Sequence, residues 1–114
     1  MSKKIHQSLS DIQSVSTTHN QGEKFVFLSA QDSETAITQF AFGRLSSGEY
    51  VEEHLHPTME ECFYFIEGEG EYIIGEKKYI IRPKDFFRIP ANTKHALKVT
   101  SGESLTFVYF GVAV

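Results

Sequence analysis

The chain has 114 residues, 40% hydrophobic and 13% aromatic, with ten Phe, no Trp and a formal net charge of −4. This length suits one core and leaves no room for a second ordinary domain. The acidic balance lacks the basic stripe that gives nucleic-acid affinity, and no apolar run approaches the roughly 20 residues that span a bilayer, so neither DNA, RNA nor a membrane is an expected partner.

Residues 1–22 are polar and rich in Ser, Thr and Gln. They read as an N-terminal arm or edge segment, with one helical turn near residues 8–13 capped by Ser8 or Ser10. Residues 23–114 read as a single domain. Short runs of β-branched and aromatic residues recur there at 24–29, 35–45, 50–56, 61–67, 71–75, 78–82, 85–90, 95–100 and 104–114. Clusters of Gly, Asn, Asp and Ser separate them, and no window shows helical periodicity, so the class is all-β with antiparallel strands. The glycines at 68–70 and at Gly75 predict hairpin connections between neighbouring strands. "CFYFI" and "FVYF" are apolar at successive positions, so both faces of those strands need cover, and a homodimer is the expected source. The N-terminus lacks the apolar stretch of a secretion signal and Cys62 is the only cysteine, which together point to the cytoplasm.

The chemistry concentrates in "HLHPTMEE", residues 54–61. Side chains alternate along a strand, so His54 and His56 are expected on one face with β-carbons about 7 Å apart. Pro57 ends the strand, and Glu61 opens the next run, which is expected to return beside the histidines. Two imidazoles and a carboxylate suit a divalent transition metal with open coordination positions. Taken singly, a histidine is more often a surface or satisfied core residue, and His6 and His19 in the arm read that way. Glu60 and Cys62 alternate away from Glu61; Glu60 reads as solvated or capping the turn, and Cys62 as packing. Glu52 shares the parity of His54 in an unbulged strand, where it would orient a ligand histidine or stand at the rim.

Gly48, His54, His56, Glu61 and Gly68, with five, one, four and six residues between them, resemble the first motif of the cupins. "KDFFRIPANTKHALKV" resembles the second, with Pro90 and His95 in place; Lys84 and Asn92 stand where the family usually has Gly, and Val99 where it often has Asn. The resemblance runs from about Phe25 to the C-terminus. It implies a small single-domain cupin of conserved-barrel type, an all-β jelly-roll β-barrel (double-stranded β-helix). It further implies a metal held by His54, His56, Glu61 and His95, with Fe, Mn, Zn and Ni all compatible with these ligands.

The ligand is expected to be a small oxygen-bearing organic molecule in an aromatic pocket, lined by about half of Phe40, Phe42, Phe63, Phe65, Phe86, Phe87, Phe107 and Tyr109. Arg44, Arg82 and Arg88 are the candidate anchors for a carboxylate or phosphate on it. By resemblance the leading function is a sugar or sugar-derivative isomerase or epimerase. A metal-dependent dioxygenase and a non-catalytic small-molecule binding or sensor domain are the alternatives, and fold does not choose among them. No catalytic acid or base is assigned from the sequence.

Overall fold

The computed structural model describes residues 5–17 and 21–114. Among the described residues ten strands run in chain order: β1 (Val15–Ser16), β2 (Glu23–Ser29), β3 (Ile37–Leu45), β4 (Tyr50–His54), β5 (Met59–Glu67), β6 (Gly70–Ile74), β7 (Lys77–Ile81), β8 (Phe86–Ile89), β9 (His95–Val99) and β10 (Leu105–Ala113). The nine runs read from the sequence correspond to β2 through β10, and β1 adds a two-residue edge strand from the arm. Short 3-10 turns occupy Leu9–Asp11 and Ala30–Asp32. Neither Ser8 nor Ser10 caps the first with its side chain; a backbone bond from Asp11 N–H to the Ser8 carbonyl closes it. No helix among the described residues is long and apolar enough to cross a membrane.

The strands form two antiparallel sheets, ordered β1-β2-β3-β10-β5-β8 and β4-β9-β6-β7. Among the described residues no ladder joins the sheets, so the jelly roll is an open sandwich and not the fully closed form of the β-barrel that the resemblance implies. The core lies between the inward faces, where alternation delivers Ala41, Leu45, Phe63, Phe65, Ile89, Leu105 and Phe107 from the larger sheet. Tyr72, Leu97 and Val99 meet them from the smaller one. Rings lock the layers: Phe65 and Tyr72 meet edge to face at 6.2 Å, and Tyr72 also lies 5.4 Å from Phe87.

Only one of the two expected hairpins forms. β6 and β7 pair around Gly75, whereas β5 and β6 lie in different sheets. Gly68, at φ +83°, carries the chain from one sheet to the other, and a β-carbon there would sit 2.4 Å from the Ser104 carbonyl oxygen and 2.8 Å from Leu105 Cα. Both obstacles are backbone, so neither can swing aside.

The two residues that replace family glycines both occupy left-handed backbone, Lys84 at φ 77° and Asn92 at φ 61°. Residues 82–85 make a turn with Pro83 second and Lys84 third, closed by Asp85 N–H to the Arg82 carbonyl at 3.1 Å. A positive φ at that third position is the signature of a type II turn, which favours Gly. A lysine there costs about 1–2 kcal/mol, of which glycine's extra chain entropy would offset about 0.5–1. Lys84→Gly is therefore expected to stabilise the protein by roughly 0.5–1 kcal/mol, while Gly68→Ala destabilises it by about 2 kcal/mol or more. Thermal melts of both variants check this; a Lys84→Gly variant less stable than the parent would contradict the assignment.

Candidate metal centre

β4 does not run as a regular strand. Val51 pairs with Leu97 of β9 and His54 with His95, so three steps on β4 oppose two on β9. This bulge lets both Val51 and His54 face the interior, where strict alternation would have turned one of them outward. Glu52 and Glu53 are exposed, and it is the Glu52 backbone carbonyl, not its carboxylate, that orients the histidine by accepting from His54 Nδ1 at 2.8 Å.

His56 lies beyond the end of β4, in the loop leading to β5, so it shares a site with His54 but not a strand. Its carbonyl accepts from the Asn92 N–H at 2.8 Å, which ties this loop to the one before β9. That second loop sets His95, whose Nδ1 donates to the Thr93 carbonyl at 2.9 Å.

Glu61 comes from the opposite sheet. β5 pairs with β10 and β8 and never with β4, so the carboxylate reaches the histidines across the sandwich rather than from an adjacent strand as the sequence reading had it. Its Oε1 stands 3.4 Å from His56 Nε2 and 3.6 Å from His95 Nε2. The rings of His54 and His95 are 4.2 Å apart, and one ligand atom from each of the four residues falls within 4.8 Å of all the others.

These separations suit a shared cation, since donors about 2.1 Å from one ion stand about 3–4 Å from each other. The decisive atom is His95 Nε2. It is fully buried and has no hydrogen-bond partner, while Nδ1 is committed as a donor to Thr93. Nε2 therefore points an unshared lone pair at its neighbours, the state a metal ligand requires. Glu61 is 7% exposed and His95 3%, so a buried carboxylate and a buried lone pair face each other with no proton donor assigned between them.

The cluster lies in a cavity of about 370 Å³ between the sheets. Phe63, Tyr72, Leu97, Phe107 and Tyr109 give it an apolar side. Of the aromatic residues singled out from the sequence, Phe65 and Phe87 join the core, whereas Phe40, Phe42 and Phe86 sit on the outer face of the larger sheet. Arg44 touches the cavity edge but pairs with Glu23 at 3.1 Å and lies over Phe25. Arg88 pairs with Glu60 outside, and the Arg82 backbone belongs to the turn before β8. Sequence reasoning missed Lys24, Gln39 and Tyr72 as lining residues. Lys24 and Gln39 belong to strands with half-buried residues at nearly every position, so no alternation marked the inner face.

His6 is exposed, and His19 lies outside the described residues. Burial pushes the Cys62 thiol up, with Glu60 adding to the effect, which favours the unreactive thiol and agrees with a packing role.

A family model described as a cupin domain matches residues 41–111, well over half of the chain. The chain is a cupin. In three dimensions it is similar to a predicted oxalate decarboxylase from Thermotoga maritima, with TM-score 0.88 and 22% identity over 96% of this chain and 100% of that one. It is also similar to ectoine synthase from P. lautus (TM-score 0.81, 19% identity, 96% of this chain and 78% of that one). A third likeness is to the polyketide cyclase RemF from Streptomyces resistomycificus (TM-score 0.79, 15% identity, 99% and 80%). At these identities the likeness establishes the cupin fold and leaves the reaction open. Among curated protein sequences no match was found.

Two phenols border the cluster. Burial, reinforced by the Glu61 charge, raises Tyr72 well above its usual value and pushes Tyr109 up to about 12. A phenol with a higher pKa folded than unfolded keeps its proton where the unfolded chain has lost it, so stability is intact below the unfolded value and falls as pH rises through the folded one. In chelated protein, Tyr109 alone is expected to remove roughly 2 kcal/mol of stability between about pH 10 and pH 12. Denaturant unfolding across that range measures the slope. Tyr109→Phe should flatten it, and an unaltered slope would contradict the burial of this hydroxyl.

Proposed function

We propose that this cupin binds one divalent transition metal through His54, His56, Glu61 and His95 and acts on a small oxygen-bearing organic molecule held in the adjoining cavity. The observation that carries the reading is the buried, unpartnered His95 Nε2 aimed at a buried carboxylate. Three imidazoles and one carboxylate suit Fe, Mn, Zn or Ni. When bound, such an ion supplies Lewis acidity to a hydroxyl or carbonyl oxygen.

The chain's own groups favour proton-transfer chemistry, of the isomerase or epimerase type, on a sugar or related hydroxy-carbonyl compound. Tyr109 keeps its proton at neutral pH and stands beside the cluster as a hydrogen-bond donor. Phe63 lies flat against it, with ring centroids 5.1 Å apart and an angle of 6°, which fixes the phenol ring. The apolar side made by Phe63, Leu97 and Phe107 favours a second reading, a metal-dependent dioxygenase, because oxygen chemistry benefits from a dry wall. Oxygen consumption during turnover separates the two. The unpaired Cys62 suits a reducing compartment such as the cytoplasm.

A homodimer accompanies this reading. The outer face of the larger sheet presents Phe25, Phe27, Phe40, Phe42 and Phe110 in ring contact. Tyr64 and Phe86 extend the same face, and Phe86 is 62% exposed. A second copy of this face is the proposed cover.

Elemental analysis of untagged protein is expected to find about one metal per chain. His54→Ala and Glu61→Ala should each lose most of it, and full loading in purified His54→Ala would sink the site. Light scattering at micromolar concentration is expected to give a dimer that Val108→Glu, on the same outer face, converts to monomer; a monomeric parent protein refutes the interface.

A further inference from the structure

A second polar group lines the cavity apart from the four candidate ligands. Lys24 Nζ donates to Gln39 Oε1 at 2.9 Å, and both residues line the cavity together with Tyr109. An ammonium can only donate, so the glutamine carbonyl faces Lys24.

Sheet register places this group relative to the cluster. Lys24 lies opposite Gly43 of β3, and Gln39 stands four residues along the same strand. The inward position between them is Ala41, small enough for a lysine stem to pass, while the Phe107 ring fills the space over Gly43. Gln39, Gly111 and Glu61 occupy one row across β3, β10 and β5. Two strand spacings, about 10 Å, therefore separate the backbones of Gln39 and Glu61. The residue between them is Gly111, with Thr38 Oγ1 and Met59 Sδ packed over it, and Gln39 and Glu61 both line the cavity.

The charge on Lys24 is not taken up by the protein. Arg44, one strand away, has its partner in Glu23, whereas among the described residues Lys24 makes no ion pair with a carboxylate and meets only a neutral amide. Its two remaining N–H donors are available to a ligand. A cation at a cavity wall, positioned by an uncharged residue, suits an anionic group brought in by the ligand.

We propose that Lys24, held by Gln39, anchors a carboxylate of the ligand, so that the cavity takes a small hydroxylated organic acid whose other end meets the His54, His56, Glu61 and His95 cluster. This rests on the reading of the cavity as the ligand site, and it names the class of molecule that enters. Neutral sugars and polyols of the same size bind more weakly because they leave Lys24 without a counter-charge.

Calorimetric titration with matched probes tests it: gluconate against sorbitol, malate against 1,2,4-butanetriol, and succinate against succinamide, each with metal-loaded and with chelated protein. Lys24→Met keeps the stem and removes the charge, and Gln39→Glu keeps the fold while giving Lys24 an internal carboxylate. At least one acid is expected to bind the metal-loaded parent better than its neutral partner. Both variants should weaken that acid at least about tenfold, the scale of one charge-assisted hydrogen bond, with metal content retained and a clearly smaller loss for the neutral probe.

Equal binding of the acid by parent and Lys24→Met overturns the anchor and leaves the metal site standing. Loss of metal in Lys24→Met also overturns it, by making Lys24 part of the metal site's support, and so does failure of all three acids to bind the loaded parent. If the parent holds no metal, yet an acid binds the chelated protein in a Lys24-dependent way, the anchor stands and the metal reading fails.

Discussion

Phe63, Phe65, Tyr72 and Phe107 pack ring against ring between the two sheets, and the spacing they hold decides whether the candidate metal centre exists. Glu61 belongs to one sheet and His54 and His95 to the other. Face-to-face sheets stand about 10 Å apart, a gap that a carboxylate from one side and imidazoles from the other can just close between them. Tyr72 is wholly enclosed in that ring cluster and touches the His95 ring at 6.2 Å, so core packing and site geometry share a residue. A change that let the layers slide would separate the ligands before it unfolded the chain.

Loops supply the finer positioning. The Asn92 N–H to His56 carbonyl bond joins the loop after β4 to the loop before β9, and so ties His56 of the first cupin motif to Asn92 of the second. Backbone carbonyls of Glu52 and Thr93 fix the His54 and His95 rings. The Nδ1 hydrogen bonds of both rings thus go to main chain, which a side-chain substitution at Glu52 or Thr93 leaves in place. The left-handed Lys84 shows the same logic, because the turn needs the backbone shape, and the sequence tolerates a costly residue in order to keep it.

The inner wall carries two polar groups. One is the cluster of His54, His56, Glu61 and His95, and the other is the Lys24–Gln39 pair, with aromatic surface beside both. The outer face of the same sheet carries the aromatic residues that alternation turned away from the interior, which is why a single run such as "CFYFI" serves core and surface together.

The sequence by itself determined the strand pattern, the family and the identities of the four candidate ligands, because hydrophobic runs and residue spacing are local properties. It did not determine which strands become neighbours. A two-residue repeat says which face a side chain takes but not what lies opposite, so Glu61 was read beside the histidines when it reaches them across the sandwich, and the chain turn at Gly68 was read as a hairpin. The β4 bulge shifted the alternation by one residue and moved His54 inward, and only the pairing with β9 reveals it. Lys24 was invisible for the same reason: nothing near it in the chain marks it as inward, and its meaning comes from Gln39, fifteen residues away in sequence and on another strand.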